Sequence, residues 1–265
     1  MILFLLEGLA FCFYFASSVT LIKDIKENRL KKLALTLAWI AVLTHLLTLS
    51  LNIWQKQGID FSFFHTASIT SLIIAFMLLF ASFSRPVEKL GIALFPIAAL
   101  MLLLDMAYPS TIQTRQVYSS AMNVHILSSI VAFSLLTIAA FQALLLAIQN
   151  SQLKSHNPGR LMLAFPPLQA MESLLFQMIS AGVLFLSVSL LSGFIFIEDL
   201  FAQHLVHKTV LSLIAWIIFS SLLIGRKRYG WRGKKAIRLT LYGFLFLLLA
   251  YFGSKLVLEL ILDKV

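Results

Sequence analysis

Long apolar runs and short polar breaks alternate along the whole of this chain. The breaks separate eight apolar segments, near residues 2–22, 33–53, 66–84, 90–108, 120–148, 172–197, 206–225 and 237–262. Each is close to the roughly 20 residues that a helix needs to cross the hydrocarbon of a bilayer. Hydrocarbon has no water to bond a backbone amide, so a segment inside it must satisfy its own N–H and C=O groups. The pattern therefore predicts an all-α polytopic membrane protein, a bundle of about eight transmembrane helices. Pro96 falls inside the fourth segment and predicts a kink there, whereas Pro86, Pro109, Pro158, Pro166 and Pro167 fall in connections. No stretch of comparable length is left over for a soluble domain, so residues 1–265 read as a single membrane-embedded domain.

Composition agrees: 60% of residues are hydrophobic and 12% charged, where a soluble domain has about a quarter charged. The net charge of +10 would fit nucleic acid, but its distribution points to the bilayer. The first, third, fifth and seventh connections, with Arg238 at the edge of the last helix, carry sixteen lysines and arginines. The second, fourth and sixth carry three, Lys56, Arg115 and Lys208. Basic residues concentrate on the cytoplasmic side of membrane proteins and meet anionic headgroups there. Both termini are therefore expected outside the cytoplasm. The N-terminal run "MILFLLEGLAFCFYFASS" has its basic residues after it, the reverse of a cleavable signal, and reads as a retained first helix. Trp54 at the outer interface, and Tyr229 and Trp231 at the inner one, fit an aromatic belt. The one cysteine, Cys12, excludes an internal disulfide and a cysteine metal cluster.

This topology distributes the six histidines unevenly. His156 is cytoplasmic; His45, His65, His125, His204 and His207 fall on the outer half, as do Glu7 and Asp105. Ionisable groups inside a membrane are costly and point to function by default. Neutral imidazole is an axial ligand for haem iron and a ligand for zinc or copper. His204 and His207 are three apart, which on a helix puts both on one face. The bland reading stands beside this one. His65, His204 and His207 lie in or beside loops, where solvated histidines are common. His45 and His125 are intramembrane, but a histidine that bonds a neighbouring helix would look identical in sequence. Glu7 and Asp105 are expected to pair with hydroxyls or sit among the headgroups. No phosphate-binding loop, paired-carboxylate spacing or nucleophile elbow is present.

Four stretches carry a resemblance: "MNVHILSSIVAFSLLTIAAF", "PPLQAMESLLFQMISAGVLFLSVSLLSGFIF", "HKTVLSLIAWIIF" and "GWRGKKAIRLTLYGFLFLLLAYFGS". Together they resemble cytochrome c assembly proteins of the CcsA/HemX type, over nearly the whole chain. In that family haem crosses the membrane and is held at the outer surface by a tryptophan-rich loop flanked by histidines, with two further histidines in the membrane. The resemblance implies that His125 corresponds to the outer histidine preceding that loop, and His45 to the first intramembrane histidine. Lys208 and Trp216 match the lysine and tryptophan that end the loop motif and begin the next helix. Two features depart from the family. The sixth connection, "IEDLFAQHLVHK", has no tryptophan, and Ile224 stands where the second intramembrane histidine is expected.

The resemblance thus implies a haem-binding, multi-pass protein of the bacterial inner (plasma) membrane, acting in haem handling or cytochrome c assembly rather than as a complete cytochrome c synthetase. His125 would be an axial ligand with a second outer-half imidazole from His45, His204 or His207. Haem, the lipid bilayer and other cytochrome c or haem-biosynthesis proteins would be its partners, and nucleic acid would not. A cofactor-free regulatory or scaffold role of the HemX kind stays open, with "RKRYGWRGKK" as a partner site or a topological anchor. So does a metal or small-solute transporter, although no internal repeat supports one. The orientation is testable: a reporter fused after Lys235 should behave as cytoplasmic and one fused after Val265 as external. Finding both on one side would break the eight-helix reading.

Overall fold

The computed structural model describes residues 2–27, 29–56, 62–108, 120–154, 166–196 and 203–253. All regular structure among the described residues is helical. The helices are α1 (Ile2–Glu27), α2 (Lys31–Lys56), α3 (Phe63–Ser82), α4 (Gly91–Ala107), α5 (Ser120–Lys154), α6 (Leu168–Phe196), α7 (Gln203–Tyr229) and α8 (Gly233–Leu248). A 3-10 turn, Glu88–Leu90, leads into α4, and a π turn, Leu249–Gly253, follows α8. Eight helical segments are long and apolar enough to cross a membrane, as the hydropathy pattern requires. Several helices overrun the apolar segments; α5, for example, continues to Lys154. An apolar run measures hydrocarbon thickness, whereas good helix formers such as Gln and Lys extend the helix beyond it.

The chain forms two compact units, Met1–Val117 and Tyr118–Val265. In the first, α1 packs on α2 and α4, and α3 packs on the same two helices, which closes a four-helix ring. Pro96 lies inside α4. Having no N–H, it leaves the carbonyl of Ile92, four residues earlier, without its helical partner. Ser18 of α1 supplies the missing donor, its Oγ lying 2.9 Å from that carbonyl oxygen. At the basic end of this unit Asp24 accepts from the Leu30 N–H at 2.8 Å, and Lys31 pairs with the buried Glu88 at 2.8 Å.

The second unit is also a ring, with α5 against α6, α6 against α7, α7 against α8, and α8 back on α5. Side-chain amides tie α5 to the start of α6: Gln142 Nε2 donates to the Met171 carbonyl and Gln149 Nε2 to that of Pro166, both at 3.1 Å. Gly182 lets α5 and α6 approach closely, because a Cβ there would lie 2.6 Å from Leu136.

The connection between α7 and α8 explains its "GWRG" sequence. Gly230 and Gly233 both have positive φ, 66° and 56°, a conformation that only glycine adopts freely. The Trp231 N–H returns to the Gly225 carbonyl at 3.2 Å, and its ring rests on Gly225, where a Cβ would be 2.2 Å away. Lys235 Nζ sits 3.3 Å from the centre of that ring. Glu172 of α6 is buried beneath the turn and accepts from Arg226 at 3.4 Å and from the Gly233 N–H at 3.1 Å. Arg232 Nε lies 3.4 Å from its other oxygen. Much of this basic connection is thus occupied in closing the turn. Glu172→Ala should lower stability in detergent by roughly 1.5–3 kcal/mol, as loss of charge-assisted bonds does. Glu172→Gln, which keeps an acceptor for the Gly233 N–H, should cost less. An unfolding temperature equal to wild type in both variants would contradict this role.

Candidate functional site

His125 occupies the second turn of α5 and is half-buried. Its Nδ1 lies 2.8 Å from the backbone carbonyl of Ser189 in α6. A carbonyl only accepts, so Nδ1 carries a proton, and in the neutral form of the ring the lone pair lies on Nε2. The same carbonyl accepts from Ser192 Oγ at 2.9 Å, and that hydroxyl stands 3.5 Å from Nδ1. Two hydroxyl-bearing residues one helical turn apart thus frame the contact and fix the ring. No hydrogen bond to Nε2 forms among the described residues. An imidazole held through Nδ1–H by a backbone carbonyl is the usual posture of a metal-ligating histidine.

His45 sits differently. It is fully buried in the first unit, and both ring nitrogens are engaged. Nε2 lies 3.0 Å from Ser68 Oγ of α3 and Nδ1 lies 3.4 Å from the Tyr14 hydroxyl of α1. The Tyr14 ring meets the imidazole edge-on, with centroids 5.9 Å apart. Iron on either nitrogen would require one of these contacts to be given up.

His204 and His207 both fall in the first turns of α7, so the backbone confirms that they are three apart on one helix. The His207 side chain is exposed, and that of His204 lies outside the described residues. The remaining family positions have structural surroundings. Trp216 donates from Nε1 to Ser187 Oγ of α6 at 2.8 Å, and Ile224 is 55% exposed on the outer surface of α7.

Two residues depart from the sequence expectation. His65, expected among solvated loop histidines, is only 4% exposed in the first turn of α3. Asp105, expected to pair with hydroxyls or headgroups, instead accepts from His65 Nδ1, with Oδ2 at 2.9 Å and Oδ1 at 3.3 Å. Glu7 of α1 is close enough to Asp105 for their charges to interact. The only sequence signal was that all three fall in the outer halves of their segments. Their pairing depends on which helices become neighbours, and periodicity does not report that.

Among the described residues no three histidine, cysteine or carboxylate side chains converge on one point. A bare zinc or copper ion would find too few ligands there, since structural sites usually supply four and catalytic ones three. A metalloporphyrin brings four nitrogens of its own and asks the protein for only one or two imidazoles.

The sequence pattern of the family described as Cytochrome C assembly protein matches residues 27–262, across both units. The chain is similar to the inner membrane protein YpjD of Escherichia coli (strain K12), 33% identical over 247 residues, 89% of this chain and 90% of that protein. It is similar to a 28.8 kDa protein of the nifR3-like 5′ region of Azospirillum brasilense, 31% identical over 210 residues, 75% of this chain and 77% of that one. A shorter similarity joins it to the cytochrome c biogenesis protein CcsA of Prochlorococcus marinus (strain NATL1A), 30% identical over 110 residues, 41% of this chain and 34% of that protein. No solved structure matches.

The His45 contacts yield a test of their own. Tyr14→Phe and Ser68→Ala should each destabilise the protein in detergent by roughly 0.6–1.7 kcal/mol, the range of interhelical hydrogen bonds in membrane proteins. Thr36→Ala, which loses only a bond within an exposed face of its own helix, should cost less. Equal losses in all three variants would mean that the His45 contacts add nothing.

Proposed function

This chain is a member of the cytochrome c assembly protein family, and from that membership we propose that it is a multi-pass inner-membrane protein that handles haem, with His125 as an axial ligand to the iron. The observation that carries the reading is the 2.8 Å bond from His125 Nδ1 to the Ser189 carbonyl. It fixes the ring in one tautomer and directs the lone pair to Nε2, as an iron ligand requires. Bound haem would supply the redox-active iron; the chain supplies the imidazole, its orientation and an apolar setting.

A second outer-half imidazole completes the iron coordination in this reading. His204 and His207 are the candidates within the same unit. The names of the relatives support the membrane location and the link to cytochrome c biogenesis. Proteins of cytochrome c assembly or haem synthesis are the partners that follow. The missing tryptophans in the sixth connection favour haem handling over complete ligation.

His125→Ala in the purified protein should shift or bleach the visible haem bands, and added imidazole should restore them by filling the vacated position. Changing His204 and His207 together to alanine should weaken haem retention without abolishing expression. If His125 serves only to bond α6, its loss should cost about 0.6–2 kcal/mol of packing and leave the bands untouched. That result would favour the cofactor-free regulatory role.

A further inference from the structure

The junction of α7 and α8 carries more positive charge than the closing of its turn uses. Arg226 and Arg232 each meet Glu172 at 3.4 Å, and Lys235 lies over the Trp231 ring at 3.3 Å. Lys227 and Arg228 stand outside that network, exposed at the end of α7 and in no ion pair among the described residues. Two neighbouring cations repel, and an anion that meets both removes the cost. Both side chains line one open groove of about 580 Å³, and the residue that lines it with them is Ile224, one helical turn earlier. Ile224 ends an exposed apolar stripe, because Val210, Leu213 and Ile217 precede it at helical spacing on the same face of α7. That stripe runs along a segment apolar enough to cross the membrane, Val206–Tyr229. Tyr229, next in the chain to Arg228, is exposed and stacks on Trp231 with centroids 6.1 Å apart. Tyrosine and tryptophan settle at the level of the lipid headgroups, so the two cations stand at that level too.

We propose that this groove binds the headgroup phosphate of an anionic phospholipid, with Lys227 and Arg228 on the phosphate oxygens and an acyl chain along the stripe from Ile224 to Val210. The charge and the stripe together select the ligand. A free phosphate would satisfy the cations and leave the apolar wall at Ile224 unused. A zwitterionic phospholipid would fill the stripe, but its ammonium group would face the same two cations. Only a lipid with net negative charge matches both parts, and basic pockets at the membrane surface hold such headgroups. The site is independent of haem and of His125, and it is more specific than a general attraction of basic loops to the membrane. Lys234 and Arg238 on α8 are also exposed and basic, yet the groove is lined by Lys227 and Arg228.

The test is native mass spectrometry of the purified full-length protein in detergent, titrated with phosphatidylglycerol or with phosphatidylethanolamine of the same acyl chains. The wild type should retain phosphatidylglycerol in preference. Lys227→Gln with Arg228→Gln should weaken the tightest phosphatidylglycerol roughly 30-fold, since each basic residue at an anionic surface adds about fivefold. Lys227→Arg with Arg228→Lys keeps both charges and should bind nearly as the wild type does. Lys234→Gln with Arg238→Gln removes the same charge outside the groove and should weaken that lipid far less. Circular dichroism checks the fold, and Lys227→Gln compared with Lys227→Arg repeats the test at about fivefold if the double variant does not fold. Equal loss from the α7 and α8 pairs would overturn the site, leaving only general attraction to the membrane. Equal retention of the two lipids by the wild type would overturn it as well. Displacement of the lipid by inorganic phosphate, beyond that by sodium chloride at the same ionic strength, would also overturn it and show a site for a free anion.

Discussion

Hydrocarbon gives a polar group no water, and the positions of the polar side chains in this protein follow from that constraint. A helix satisfies its own backbone, so all regular structure among the described residues is helical. Where helix geometry fails, a neighbour supplies the missing group, as Ser18 does for the Ile92 carbonyl that Pro96 leaves without a partner. At the start of α6, side-chain amides reach across from α5, as Gln142 and Gln149 do. These contacts are individually modest, on the order of 1 kcal/mol. They decide which helices are neighbours and at what register.

The same constraint shapes the imidazoles. A neutral imidazole brings one donor and one acceptor, and away from water each needs a partner. His45 places both inside its unit, on Ser68 and Tyr14, and becomes a packing residue. His125 places its donor on the Ser189 carbonyl, and His65 its donor on Asp105. All three lie in helices, and what separates them is which neighbour their nitrogens meet.

The helices were legible in the sequence because an apolar run of about 20 residues has few alternatives in a bilayer. The close turn at "GWRG" was legible as a motif but not as a mechanism: positive φ at Gly230 and Gly233, and the bond to Glu172 from 61 residues away in sequence, are tertiary facts. His125 stood out because a charge-free segment surrounds it. His65 did not, because a histidine beside a loop looks solvated until α4 brings Asp105 against it. The pairing of Tyr14 with His45 was hidden for the same reason. Hydropathy reports depth and face, whereas the identity of the facing helix comes only from packing.

The account stands most directly on the visible absorption spectrum of the full-length wild-type protein, purified in detergent and recorded oxidised and reduced. It predicts a Soret band and reduced-state bands of imidazole-ligated haem, present on purification or after reconstitution with haemin. A protein that remains colourless after reconstitution, while folded by circular dichroism, would contradict the haem assignment. The bond from His125 to the Ser189 carbonyl would then serve only to pack α5 on α6.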